Sequence, residues 1–187
     1  MFNFEIRAQS KPSNLAIPRC IGCTQRTVTK KHQANSNLIS THEAEAICLT
    51  CIDFRFVDYE ENFMRYTKKL NNKYDQFVLA GSSLVSEPSS PAWPYDWKSV
   101  LNQHIQLSKN LHDIKEIVII DHMDCGAYKA YYGDAYKNAD NASRIAFHKG
   151  NLDQLGTQIR SIPAFNGLKY FGYLMKTNGK PILLSEM

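Results

Sequence analysis

Residues 114–122 read Ile-Lys-Glu-Ile-Val-Ile-Ile-Asp-His, and this stretch carries the strongest strand signal in the 187-residue chain. Isoleucine and valine are β-branched, which favours an extended backbone, so we predict a strand over residues 114–120. Because Ile117 to Ile120 are all apolar, both faces of the strand should be buried, as in a parallel sheet covered by helices. Asp121 and His122 close the strand, so polar side chains begin where it ends.

Strand and helix patterns alternate on both sides of this stretch. Such alternation predicts an α/β fold with a central, mainly parallel β-sheet flanked by helices. An Asn-Gly turn within residues 177–180 joins the last two strands as a hairpin. The other predicted strands are 46–51, 75–81, 169–176 and 182–184; the predicted helices are 59–70, 97–111, 126–132 and 140–162; and the Pro/Ser-rich segment 82–94 is predicted to be a loop.

Two motifs lie at the ends of predicted strands: Cys51-Ile52-Asp53-Phe54-Arg55 and His122-Met123-Asp124-Cys125-Gly126. Cys51, Gly81 and His122 each follow the carboxyl end of a predicted strand. Ligands of parallel α/β sheets bind at that edge, so we expect the two motifs to meet in space although they are far apart in sequence.

The two motifs together offer two thiolates and one imidazole, from Cys51, His122 and Cys125. Three N/S ligands with one exchangeable position are typical of a catalytic zinc site, and soft thiolates with an imidazole suit Zn²⁺. Alternation along an extended segment would turn residues 51, 53 and 55 to one side. Asp53 could then accept a hydrogen bond from a zinc-bound water, while Arg55 holds the carboxylate in a bidentate pair.

The N-terminal residues differ from the rest of the chain. Residues 1–42 contain six Lys or Arg against one Glu, within a chain of net charge +4, and they show no clear periodicity. We therefore predict a basic arm over 1–42 and one domain over 43–187. A solvated tail, or an arm packed on a partner subunit, is favoured over nucleic-acid binding, because the domain has no basic patch in sequence; a transit peptide is a minor alternative.

Cysteine usage and hydropathy indicate the compartment. The chain has five cysteines, no apolar run near the roughly 18 residues of a membrane span, and no apolar segment of the kind found in secretory signals. We therefore expect a cytoplasmic protein without a membrane partner, whose thiols serve metal binding or catalysis. Cys20 and Cys23 form a C-x-x-C pair that suits either a second zinc site or two free thiols, and the latter is favoured because a second pair is missing.

The Cys-x-Asp-x-Arg and His-x-x-Cys-Gly motifs, each at a strand end, resemble those of the β-class carbonic anhydrases. The resemblance spans about residues 44–187 and includes Ala80-Gly81 and the segment from Gly172 to Leu184. It implies a zinc enzyme, a lyase, that reversibly hydrates carbon dioxide to bicarbonate by a zinc-bound hydroxide. It also implies a homodimer or higher homo-oligomer, with an N-terminal arm embracing the neighbouring subunit.

The resemblance also assigns roles to individual residues. It implies that Cys51, His122 and Cys125 bind zinc, and that Asp53 and Arg55 form the catalytic pair. Asp53 would either become the fourth ligand and close the site, or turn to Arg55 and admit water. By the same match, the substrate pocket would be lined by Ala80, Gly81 and Gly126.

The chain also departs from the family pattern. Residues 78–82 read Val-Leu-Ala-Gly-Ser where the family commonly has an Arg-Asn-Ala-Gly-Asn-like stretch, and Asp121 replaces a glycine before the histidine. The loop 82–94 resembles an insertion. Since such changes alter the pocket wall and the surroundings of the metal, two alternatives stay open. One is a hydrolase of carbon disulfide or carbonyl sulfide, and the other is a non-catalytic zinc-binding protein.

Other polar and aromatic residues receive simpler interpretations. Cys48 lies within a predicted strand and should be a core residue. Asp124 should be solvated or near the ligands without binding the metal. His148 could shuttle protons only if it reached the cleft. The tyrosines at positions 128, 131, 132 and 136 follow a near-helical spacing typical of core or interface residues.

Overall fold

The structure, a computed structural model, describes residues 42–90 and 94–187. The predicted arm, apart from its last residue, and the Cys20/Cys23 pair lie outside the described residues. The strands are β1 (Ala46–Thr50), β2 (Tyr74–Val78), β3 (Glu116–His122), β4 (Lys169–Met175) and β5 (Pro181–Glu186). The helices are α1 (Val57–Asn62), α2 (Lys98–His112), α3 (Gly126–Tyr132), α4 (Asp134–Lys137) and α5 (Asn141–Arg160).

The five strands form one sheet in the order β2-β1-β3-β4-β5. β1 pairs in parallel with β2 and β3, and β3 pairs in parallel with β4. Only the last pair, β4 with β5, is antiparallel, as the Asn-Gly hairpin predicts. The predicted α/β class with a mainly parallel sheet flanked by helices is therefore confirmed.

Strand alternation divides the core between the two faces of the sheet. Odd-numbered residues of β1 and β3, such as Ile47 and Ile119, pack with buried residues of α2 and α5. Even-numbered ones, such as Cys48 and Val118, pack instead with Phe56 and the segment that follows α1. Because both faces are covered, these strands can be apolar without interruption, which is why the sequence signal at β3 is so strong.

Two segments differ from the predictions. The helix predicted over 59–70 is α1 followed by a π-helical turn at Phe63–Thr67, in which Lys68 N donates to Phe63 O at 2.9 Å. The turn buries Phe63 and Met64 against the sheet. The predicted loop 82–94 begins with a short 3₁₀ helix, Ser82–Ser86, whose five residues are all buried. Among the described residues, no helix is both long and apolar enough to cross a membrane.

Candidate metal centre

The carboxyl ends of β1 and β3 bring the two sequence motifs together. Cys51 directly follows β1, and His122 is the last residue of β3. The chain then turns at Asp124, whose φ of 62° lies in the left-handed region. This turn is fixed by Met123 N, which donates to Met175 O at 2.9 Å, and it returns Cys125 to the site immediately before α3.

The side chains of Cys51, His122 and Cys125 converge, with their ligand-type atoms all within 4.8 Å of one another. The two sulfur atoms are 3.9 Å apart. All three residues are buried. The ring of Phe56 stacks on the imidazole with centroids 4.3 Å apart and restricts its rotation.

The hydrogen bonds of His122 select which ring nitrogen can bind a ligand. Its Nδ1 lies 3.0 Å from the carbonyl oxygen of Met123, so Nδ1 carries the proton and donates. Its Nε2 is buried and has no hydrogen-bond partner among the residues that the structure describes. A buried nitrogen without a partner is unfavourable, and coordination of a metal would satisfy it.

The two thiols share a proton. A hydrogen bond from Cys125 lowers the pKa of Cys51 well below its ordinary value despite burial, and the backbone N–H of Gly81 donates to the same sulfur at 3.3 Å. The pKa of Cys125 is raised in turn by its bond to Cys51. The contact therefore favours ionisation of one of the two thiols, and a bound cation would favour ionisation of the second.

This donor set fits a tetrahedral ion. Zinc–sulfur bonds of about 2.3 Å at tetrahedral angles place two sulfurs about 3.8 Å apart. The observed separation of 3.9 Å matches that value. Cys51, His122 and Cys125 could therefore bind a metal ion.

Asp53 and Arg55 form the expected pair beside this cluster. Arg55 Nε donates to Asp53 Oδ1 at 2.9 Å, and a terminal guanidinium nitrogen donates to Oδ2 at 2.6 Å. These bonds lower the pKa of Asp53 to about 2, so the carboxylate is ionised at neutral pH. Asp53 Oδ2 lies 3.8 Å from His122 Nε2.

The geometry behind this pair differs from the prediction. We expected an extended segment that turns residues 51, 53 and 55 to one side. Instead the chain makes a tight turn in which Phe56 N donates to Asp53 O at 3.1 Å. Arg55 N also donates to the Asp53 side chain at 3.1 Å, so a side-chain-stabilised turn brings the two residues together.

The three predicted pocket residues occupy distinct positions around the site. Gly81 adopts φ 79°, in the left-handed region that favours glycine, and its backbone N–H donates to the Cys51 sulfur at 3.3 Å. Ala80 packs in the cluster of buried residues that includes Cys51 and Cys125. Gly126 begins α3 and has open space beside it. Their part in binding a substrate stays a prediction.

The structure also decides the simpler interpretations. Cys48 is buried in the core. Asp124 is paired with Lys129, with Arg55 3.8 Å away, and it is not one of the three converging residues. His148 is fully buried and bonded to Asp121 and Tyr136, so it does not reach a solvent-facing cleft where it could shuttle protons.

Sequence reasoning missed Glu60. This residue lies in α1 with 6% of its surface exposed, and within residues 42–90 and 94–187 its Oε1 has no hydrogen-bond partner. It lines a cavity of about 170 Å³ together with Cys51, Val57 and Val78. Burial raises the pKa of Glu60 to about 7. In an amphipathic helix pattern a glutamate is expected at the surface, so the sequence around Glu60 does not indicate that this residue is buried.

The raised pKa of Glu60 predicts a specific pH dependence of stability. Between its ordinary pKa of 4.5 and about 7, the folded state binds more protons than the unfolded state. The contribution of Glu60 to the free energy of unfolding should therefore fall as pH rises from about 4.5 to about 7, by up to about 3 kcal/mol. In urea denaturation between pH 5 and 8, the stability of the wild type should fall relative to that of Glu60→Gln as pH rises, because this comparison cancels the titration of groups that both proteins share, such as Cys51.

The matched control is Glu61→Gln. Glu61 is the next residue of α1, is about half exposed and pairs with Arg65 at 2.6 Å. Its replacement should leave the pH profile of the wild type unchanged, because exposed ion pairs contribute little. Equal slopes for Glu60→Gln and the wild type would contradict the assignment to Glu60.

A search of solved structures finds the same fold elsewhere. One of two tetrameric β-carbonic anhydrases from the filamentous ascomycete Sordaria macrospora matches with a TM-score of 0.52 and 13% sequence identity, covering 79% of this chain and 84% of that one. At this identity the match shows the fold alone. No protein-family model matches the chain.

Relatives among curated proteins are found in Rickettsia. An uncharacterised protein of Rickettsia bellii is 27% identical over 156 residues, covering 82% of this chain and 90% of that protein. Uncharacterized protein RC0076 of Rickettsia conorii is 30% identical over 154 residues, covering 82% of this chain and 79% of that protein. The chain therefore belongs to the same family as this uncharacterised protein of Rickettsia conorii.

Proposed function

We propose that this protein is a zinc-dependent carbonic anhydrase that reversibly hydrates carbon dioxide to bicarbonate. The observation that carries the proposal is the convergence of two cysteine sulfurs and an unpartnered imidazole nitrogen within 4.8 Å, beside a carboxylate held by an arginine. Three protein ligands leave a fourth position for a reactant, as in catalytic zinc sites. The fold shared with the Sordaria enzymes supports the proposal.

Cys51, His122 and Cys125 would hold the zinc ion. When bound, zinc supplies a water molecule acidic enough to lose its proton near neutral pH. Both oxygens of Asp53 accept hydrogen bonds from Arg55, so this carboxylate is held as an acceptor and is kept out of the ligand set. Asp53 would accept a hydrogen bond from the attacking nucleophile and orient its lone pair towards carbon dioxide.

The test is stopped-flow measurement of carbon dioxide hydration on protein whose zinc content has been verified. We expect turnover that disappears when a chelator removes the metal and returns when zinc is added. Carbonyl sulfide and carbon disulfide are assayed in parallel, because turnover of these alone would assign the hydrolase alternative. One zinc ion per chain without turnover of any of the three substrates, up to about pH 9, would contradict an enzymatic role.

We also propose that the protein is a cytoplasmic homo-oligomer. Large apolar side chains are exposed next to the metal centre, namely Ile52, Phe54, Val57 and Val78, of which Phe54 is 84% exposed. Several large apolar side chains exposed beside one site are typical of an interface between subunits. Sedimentation velocity should give at least the mass of a dimer. A monomeric mass, unchanged with concentration, would contradict the proposal.

A further inference from the structure

A buried polar network surrounds Asp121, the residue directly before His122. Its carboxylate accepts four hydrogen bonds: from Ser83 N at 3.0 Å, Ser83 Oγ at 2.6 Å, Tyr128 OH at 2.7 Å and His148 Nδ1 at 2.8 Å. Each of these residues is at most 1% exposed. A buried carboxylate with this many donors is fully satisfied and strongly restrained.

The network joins three segments that each adjoin the metal centre. Ser83 lies in the 3₁₀ helix that begins next to Gly81, whose N–H contacts the Cys51 sulfur. Tyr128 lies in α3, which starts directly after Cys125. Asp121 itself extends β3 up to the histidine. One carboxylate therefore connects the surroundings of all three converging side chains.

α5 holds the network from outside. His148 bonds to Asp121 through Nδ1, and its Nε2 lies 2.9 Å from the hydroxyl of Tyr136. Asn151, one turn further along α5, donates to Tyr128 OH at 3.0 Å. The imidazole also packs against the ring of Tyr128 with centroids 3.9 Å apart. α5 therefore holds the network at two points, Asp121 and Tyr128, and the network cannot shift without breaking several hydrogen bonds.

We propose that Asp121 is a positioning residue of the metal centre, which holds the segments bearing Cys51, His122 and Cys125 in binding geometry through Ser83, Tyr128 and His148. The inference rests on the proposed metal site. It also gives a physical reason for the departure from the family pattern, where glycine is common at position 121. A glycine could accept none of these four bonds. The two hydroxyls, 2.7 Å apart, could still bond to each other, but Ser83 N and His148 Nδ1 would be buried without their acceptor.

The alternative is that the network only stabilises the core, and the test separates the two roles. Tyr128→Phe removes one bond to Asp121 and keeps the ring. Tyr170→Phe is the control, because Tyr170 is equally buried and donates one hydrogen bond to α5, at Leu152 O (2.7 Å), and none to Asp121. Both variants lose one buried hydroxyl group, but Tyr128→Phe also loses the contacts of that hydroxyl with Ser83 and Asn151, so it should lose more stability than Tyr170→Phe in urea denaturation.

Metal binding should differ between the two variants. We expect Tyr128→Phe to weaken zinc binding at least about tenfold, measured by competition with a chromophoric chelator, as for other partners that orient metal ligands. Tyr170→Phe should stay within about twofold of the wild type, on the same argument. The absorption spectrum of the cobalt-substituted protein, which reports ligand geometry, should shift in Tyr128→Phe alone. Asp121→Asn, if it folds, should show the same changes to a greater degree.

Equal zinc affinity and equal cobalt spectra in Tyr128→Phe and Tyr170→Phe would overturn the positioning role and leave a structural one. This outcome is distinct from failure of the proposed function. The positioning role is judged by metal affinity relative to the wild type, whereas the proposed function is judged by hydration of carbon dioxide by the wild-type protein. A wild type that binds zinc but lacks turnover would refute the latter and still allow the former to be tested.

Discussion

A Cys125→Ala variant is expected, on the proposed function, to bind no zinc and to show no measurable hydration of carbon dioxide. The variant keeps one thiolate and one imidazole, and two ligands do not complete a zinc site. A zinc ion that polarises its bound water stabilises the transition state by several kcal/mol. Its loss is therefore expected to lower the rate by at least about 10³-fold. Metal analysis after dialysis gives the zinc content, and stopped-flow measurement gives the rate.

Cys48→Ala supplies the control for this experiment. Cys48 is as buried as Cys125 and lies three residues before Cys51, but it packs among apolar residues of the core. Burial raises the pKa of its thiol well above the ordinary value, so it is not a ready thiolate. This variant should keep its zinc and lose about 1 kcal/mol of stability. A full equivalent of zinc in Cys125→Ala, bound with wild-type affinity, would remove Cys125 from the ligand set.

The convergence of the ligands could be predicted because it depends on local patterns and one general rule. Uninterrupted apolar runs identify β1 and β3 as strands covered on both faces, and parallel neighbours end at the same edge of the sheet. Cys51 and His122 are then expected to lie close together. A shift of the strand register by one or two residues would not change this expectation. The prediction required no knowledge of the loops.

The surroundings of the site could not be predicted in this way. The Asp53–Arg55 pair follows from a turn stabilised by the aspartate side chain, where sequence alternation suggested an extended segment. Ser83 meets Asp121 across 38 positions of sequence, inside a stretch whose serines and prolines indicated a loop. Burial of Glu60 depends on how α1 docks on the sheet. Such contacts arise from tertiary packing, for which a single sequence carries no local signal.

An Asp53→Asn variant is expected to keep its zinc yet lose turnover by about 10² to 10⁴, the usual contribution of a positioned acid or base. The amide has nearly the size of the carboxylate, but it carries no charge and offers only one accepting oxygen. Arg55 then loses its bidentate partner, and the nucleophile loses the acceptor that orients it. The zinc content should be unchanged because Asp53 is not one of the three converging residues.

Asp58→Asn is the matched control, because Asp58 is an exposed residue in the first turn of α1 and should leave zinc and turnover unaffected. Arg55→Lys is a milder change, because lysine keeps the positive charge but cannot donate two parallel hydrogen bonds to Asp53. Its turnover is expected to lie between that of the wild type and that of Asp53→Asn.

Measurements of zinc content and of turnover separate the roles open to Asp53. Unchanged turnover in Asp53→Asn would exclude it from the reaction, whereas loss of zinc would identify it as a metal ligand and require Arg55 to release it before water can bind.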